Sequence, residues 1–316
     1  MLSIHHPAFP GVARRPLSRR RAMKLAAAGT FGVALPLVAN RVAAWAQEST
    51  PALKATEYPL VEIMAKDFSF AMPAEIPGGL TRFTLHNEGT FTHHVNFLRL
   101  GDEVTQADID AALEEPEYVG LLALGEVYGG PNAAPAHGGA ATAILDLPAG
   151  DYRAFCIVSS PEVSPHYHHG MISPLTVTPA PATRPAPAAD QAITLENFTF
   201  VGLPGQAPAG PQIWGITNAG PEIHELVVFR LSPGVTFETA AAALGIVPQG
   251  TPAAAPPPGP PFLDVGGVTL MSPGVTNWAV LDLEPGDYFA NCFVLSPDHD
   301  LAPHFTFGMI QPFTVA

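Results

Sequence analysis

The feature that most restricts the fold of this chain is an internal repeat. Asn87-Glu88-Gly89-Thr90-Phe91-Thr92-His93 has its counterpart in Asn218-Ala219-Gly220-Pro221-Glu222-Ile223-His224. The two segments run on to Phe97-Leu98-Arg99-Leu100 and Val228-Phe229-Arg230-Leu231. Leu145-Asp146-Leu147-Pro148-Ala149-Gly150-Asp151-Tyr152 matches Leu281-Asp282-Leu283-Glu284-Pro285-Gly286-Asp287-Tyr288, each just ahead of a cysteine. Pro165-His166, Gly170-Met171-Ile172 and Leu175-Thr176-Val177 match Pro303-His304, Gly308-Met309-Ile310 and Phe313-Thr314-Val315. A period of roughly 130 residues is that of a duplicated domain, not of a short-period solenoid. The copies cover residues 58–178 and 191–316, and the Pro/Ala run between them, residues 179–190, reads as an extended, semi-rigid linker.

Within each copy, short alternating stretches rich in Thr, Phe, Val and Tyr are separated by Gly/Pro turns. Phe83 and Leu85 share one face, Val95 and Phe97 alternate with Asn96, and Tyr152, Ala154 and Cys156 share a face. This pattern predicts an all-β chain of two tandem β-sandwiches. One short helix interrupts each. Thr105 caps a segment in which Ile109, Ala112 and Leu113 form an apolar stripe, and Thr236 opens its counterpart, which Gly245 stops. Residues 251–261, with six prolines, read as a surface loop.

The repeat also duplicates a sparse set of soft ligands. His93, Cys156, His166 and Met171 recur, in order, as His224, Cys292, His304 and Met309. The chain has only two cysteines, and each falls at the matching point of its copy. One thiolate, two imidazoles and a thioether are what a type 1 copper site requires, a trigonal His₂Cys plane with a weak axial Met. The bland alternatives stay open at this level. A buried Cys or Met is often plain core. The two thiols could form an inter-domain disulfide in an oxidising compartment. His168 or His169 could take the place of His166.

A His after an Asn-x-Gly turn, a Cys ending a late strand, then His-x₄-Met before the last strand: this resembles the cupredoxin family. The Gly-Met ending with its closing strand is similar to secreted plastocyanin-like proteins of bacteria and archaea. The resemblance implies Greek-key sandwiches and one type 1 copper for each intact ligand set, up to two in all, suited to electron transfer. It also brings a departure. Nine residues separate Cys156 from His166 and eleven separate Cys292 from His304, longer than most blue-copper loops. A two-domain copper oxidoreductase would need histidines beside the cysteine. The flanking residues here are Phe155, Ile157, Asn291 and Phe293, so no His-Cys-His string builds a type 2 or trinuclear centre. A fold retained without a redox role, for copper sequestration or protein interaction, is the other reading.

Ahead of the first copy, Ser18-Arg19-Arg20-Arg21-Ala22-Met23-Lys24 resembles a twin-arginine motif, followed by a modest apolar run and the small-x-small site Ala44-Trp45-Ala46. Residues 1–46 are therefore expected to be a cleaved signal, with 47–57 a leader segment, and the protein to be periplasmic or secreted. No stretch of the mature chain is apolar for long enough to span a bilayer. Cleavage would remove seven of the 14 basic residues and none of the 28 acidic ones, leaving a formal charge of −21. Such a balance argues against nucleic acid, whose phosphates would repel it, and suits docking to a redox partner with a basic surface.

Overall fold

The computed structural model describes residues 54–160, 163–246 and 259–316; the expected signal and most of the Pro-rich loop lie outside the described residues. Nine strands form the first half: β1 (Leu60–Lys66), β2 (Ser69–Ala71), β3 (Glu75–Pro77), β4 (Gly79–Asn87), β5 (Asn96–Leu100), β6 (Gly125–Val127), β7 (Ala140–Leu147), β8 (Gly150–Phe155) and β9 (Ile172–Thr178). The second half carries β10 (Gln191–Glu196), β11 (Thr199–Val201), β12 (Gln206–Ala207), β13 (Gly210–Asn218), β14 (His224–Leu231), β15 (Phe262–Met271), β16 (Thr276–Leu283), β17 (Gly286–Asn291), β18 (Leu295–Ser296), β19 (Ala302–Pro303) and β20 (Ile310–Val315). Alternation places Phe83 and Leu85 of β4 inside, and Trp214, Ile216 and Asn218 of β13 likewise, as a period of two requires for a sheet with one covered face.

Each half is a sandwich. In the first, β2-β1-β4-β7 faces β3-β9-β8-β5-β6; in the second, β11-β10-β13-β16 faces β12-β20-β17-β14-β15. The sandwiches are fused edge to edge. β7 and β16 pair antiparallel, Ile144 opposite Trp278 and Thr142 opposite Val280, so the two inner sheets become one of eight strands. The edges that a free sandwich would expose are thereby satisfied, and one apolar core runs from Ile63 and Phe97 through Leu270 and Met271 to Val315.

Fusion also changes what the strand pattern means. Asn96 alternates with Val95 and Phe97, but all three are fully buried. The outer face of β5 lies against the second half, where the Asn96 side chain accepts from Leu270 N–H at 3.3 Å. β14 is buried along almost its whole length because helix α3 (Phe237–Ala243) packs Ala240 over Val227, Phe229 and Leu231. Its partner in the first half is α1 (Gln106–Leu113), which buries Ile109 and Ala112. Thr105 accepts from Asp108 N–H and Asp108 returns the bond to Thr105 N–H, while Thr236 caps the second helix through Thr239 N–H. A further short helix, α2 (Val119–Leu122), follows α1.

Candidate metal centres

The Asn-x-Gly turns set the first imidazole of each half. Asn87 accepts from Gly89 N–H at 2.8 Å and donates to the carbonyls of Phe91 and Ala134; Asn218 does the same with Gly220, Glu222 and Met271. The glycine is needed for space. A Cβ at Gly89 would lie 2.2 Å from Asp67 Oδ1 and 2.7 Å from His93 Nε2, and one at Gly220 would lie 2.7 Å from His224 Nε2. The turn thus holds a buried imidazole with its Nδ1 turned inward and its Nε2 against a polar partner.

The remaining ligands come from the closing loop, which folds back in spite of its length. Cys156 N–H donates to Met171 O, Tyr167 N–H to Cys156 O and His166 N–H to Val158 O, at 3.2, 2.9 and 3.0 Å. Cys292, Phe305 and His304 bond to Met309, Cys292 and Val294 in the same way, at 3.1, 3.1 and 2.9 Å. The two extra residues of the second loop fall between Val294 and His304, where the β18–β19 pair absorbs them. Ligand spacing is therefore decoupled from loop length.

The result is two matching clusters. His93 Nδ1 lies 3.1 Å from His166 Nδ1, and Cys156 Sγ lies 4.0 and 3.5 Å from the two nitrogens. His224 Nδ1 lies 3.0 Å from His304 Nδ1, and Cys292 Sγ is 3.5 Å from the latter. Met171 and Met309 are fully buried one hydrogen bond away along the backbone. The thiols are free, each among its own half's imidazoles. His166 is buried whereas His168 and His169 are exposed on the same turn. His94 points away from the cluster, as strand alternation requires.

Protonation makes these clusters fit a cation. Burial pushes the imidazoles down, to about 4 for His166 and about 3 for His224, with His93 and His304 lowered as well. Burial pushes the Cys156 thiol up to about 12 and holds the Cys292 thiol well above its ordinary value. His224 Nε2 donates to Asn197 Oδ1 at 3.0 Å and His304 Nε2 to Glu222 Oε2 at 3.3 Å. A neutral ring carries one proton, so both Nδ1 atoms present lone pairs to each other across 3.0 Å between two buried side chains. Two acceptors face to face are unfavourable unless a positive ion lies between them. The thiols would ionise only on binding such an ion, releasing a proton.

Sequence reasoning missed the outer partners. Asp67 accepts from His93 Nε2 at 2.7 Å, and Thr90 N–H and Oγ1–H bond its other oxygen. Burial works to raise Asp67, but these hydrogen bonds outweigh it and hold the carboxyl at about 2. Its counterpart is Asn197, which also donates to Glu222. The signal was present in the repeat: Asp67-Phe68-Ser69-Phe70 matches Asn197-Phe198-Thr199-Phe200. The aromatic member of each pair shields the second imidazole, Phe68 at 4.7 Å from His166 and Phe198 at 5.1 Å from His304. Asp67→Asn is expected to weaken metal binding in the first half by roughly 10–100-fold, the usual cost of losing an outer partner of a ligand histidine. Competition with a chelator of known affinity measures it, and an unchanged constant would refute the role.

Strand order makes each half a two-sheet sandwich, and each holds one buried thiol–imidazole cluster. No protein-family model matches the chain, and no curated protein matches it in sequence. Among solved structures it is similar to a multicopper oxidase at 15% identity, covering 81% of this chain and 88% of that one with a TM-score of 0.24. Auracyanin from Roseiflexus castenholzii is 22% identical over 38% of this chain and 97% of its own, with a TM-score of 0.26. A copper nitrite reductase from Nitrosomonas europaea is 14% identical over 81% and 93%, with a TM-score of 0.23. These likenesses are of fold alone.

Proposed function

We propose that the protein is an exported carrier of electrons that holds one type 1 copper in each half. His93, Cys156 and His166 would hold one ion, with the buried Met171 as a further soft donor, and His224, Cys292, His304 and Met309 would hold the other. Copper supplies a one-electron Cu(II)/Cu(I) couple. The protein supplies a buried donor set already fixed by backbone hydrogen bonds and by the outer partners Asp67, Asn197 and Glu222. Such a set changes little between the two oxidation states, which favours electron transfer over substrate turnover. The observation that carries the reading is the duplication of one buried Cys–His–His cluster, with both imidazoles presenting Nδ1. The acidic mature chain would meet a basic redox partner through charge, an association that weakens as salt screens it. Among the described residues no helix is long and apolar enough to cross a membrane.

Titration of the purified mature protein with Cu(II) tests this. Two equivalents bound with an intense visible thiolate-to-copper band are expected. Copper bound without colour would replace the carrier by a storage role, and no stoichiometric binding would reduce the protein to the fold alone.

A further inference from the structure

Between the two clusters, at the seam of the sandwiches, lie three buried polar side chains that the ligand sets do not use: His94, Asn132 and Glu225, each no more than 5% exposed. His94 follows the ligand candidate His93, and its Nε2 accepts from Ile157 N–H at 3.0 Å, the residue after Cys156. Asn96 donates to the same nitrogen at 3.1 Å. With Nε2 accepting twice, the ring proton must sit on Nδ1, which donates to Asn132 Oδ1 at 3.2 Å. Asn132 Nδ2 then donates to Glu225 Oε2 at 3.1 Å. Glu225 follows His224, and its Oε1 accepts from Phe293 N–H at 3.0 Å, the residue after Cys292. Its own N–H lies 3.5 Å from Cys292 Sγ.

The chain is continuous, and its donors converge from both sides on the Glu225 carboxylate. It begins at the peptide that follows Cys156 and ends at the peptide that follows Cys292. Apolar side chains would close such a seam at lower cost, because buried polar groups stabilise only when fully satisfied. A seam built this way offers something an apolar one does not. Electron tunnelling decays more slowly through covalent and hydrogen bonds than across van der Waals gaps, so the trio gives a favoured route between the halves.

We propose that His94, Asn132 and Glu225 form an electronic bridge by which the two copper centres exchange an electron inside the molecule. This rests on the reading of both clusters as copper sites. In each exchange one copper goes from Cu(I) to Cu(II) and the other from Cu(II) to Cu(I). No external oxidant or reductant takes part, no bond to hydrogen breaks, and the bridge residues end as they began. The protein would then be a two-site relay, able to accept from a partner at one end and deliver at the other.

The test uses the full mature protein, loaded with two coppers and half reduced. Exchange between sites broadens the NMR signals of the ligand histidines, and the part that survives extrapolation to zero protein concentration is intramolecular. Two variants interrupt the bridge while leaving every ligand side chain, and the Glu225 backbone N–H beside Cys292, in place. Asn132→Ala removes its middle. Glu225→Gln keeps the volume but must face a donor with a donor, because both carboxylate oxygens accept hydrogen bonds. Both are expected to keep two coppers and the visible band, and to slow the intramolecular exchange severalfold. In the copper-free protein the His94 Nδ1–H resonance, protected in the parent, should exchange rapidly in Asn132→Ala. Should Asn132→Ala not fold, Glu225→Gln decides alone. Two intact blue sites with an unchanged intramolecular rate would overturn the bridge and leave the carrier reading standing. Failure of the parent to bind two coppers would instead overturn that reading, and the bridge with it.

Discussion

Cys156→Ser is expected to abolish copper retention and colour in the first half while the second keeps its full equivalent, and Cys292→Ser to do the converse. Each thiol is fully buried and sits within 3.5 Å of one imidazole nitrogen of its cluster. A serine hydroxyl does not ionise at accessible pH and is a harder donor, so the site loses both its negative charge and its soft ligand. The loss should exceed the roughly 10–100-fold that follows removal of an outer partner. The fold should survive. Serine is nearly the size of cysteine, and its hydroxyl can donate to the Nδ1 that the sulfur faced, so the buried group stays satisfied. Copper content and the visible spectrum of the two single variants and the double variant measure this directly. A double variant that still holds two coloured coppers would rule out the assignment.

Much of this was legible because duplication separates signal from accident. A single Cys or Met inside a sandwich is ordinary core, but two sets in the same order cannot easily be chance, and His93, Cys156 and His166 do meet, as do His224, Cys292 and His304. Strand alternation also placed Phe83 and Leu85 inward and turned His94 away from the cluster. What escaped depends on the relation between the halves. No local pattern says that β7 will pair with β16, so Asn96 reads as an outward residue although the second half covers it. Glu225 was equally invisible, since a carboxylate in a strand ordinarily marks a solvated face. Its partner Asn132 lies 93 residues away in sequence. Asp67 and Asn197 escaped for a different reason: the repeat shows them, but their role needs the turn geometry that brings them to an imidazole.

The copper-free protein is expected to be acid-labile, losing several kcal/mol of its stability between pH 7 and pH 5. His93, His94, His166, His224 and His304 are buried, and burial holds each below its ordinary value in the folded chain. In the unfolded chain an imidazole titrates near 6.5. Below that pH the unfolded state binds protons that the folded state refuses, so stability falls as pH falls. Glu225 opposes this. Burial raises its carboxyl to about 7, so between pH 7 and its unfolded value near 4.5 the folded state holds a proton that the unfolded state lacks. Burial holds His94, His166 and His224 at about 3, 4 and 3, so three imidazoles against one carboxyl leave about two protons in favour of unfolding, each worth about 1.4 kcal/mol per pH unit once the unfolded imidazoles are charged. A slope on the order of 3 kcal/mol per pH unit near pH 5.5, to which the lowered His93 and His304 add, is a large share of the stability of an ordinary domain, about 5–15 kcal/mol. The two thiols set a weaker alkaline limit, since their raised folded values cost stability above about pH 8.5, where unfolded cysteine ionises. Urea midpoints of chelator-treated protein at pH 7.5, 6.5 and 5.5 measure the slope. His94→Asn, which leaves every candidate ligand side chain in place, should reduce it by about one proton's share. A midpoint that stays level from pH 7.5 to 5.5 would mean that these imidazoles are charged in the folded chain, and with charged rings neither cluster could accept a metal ion.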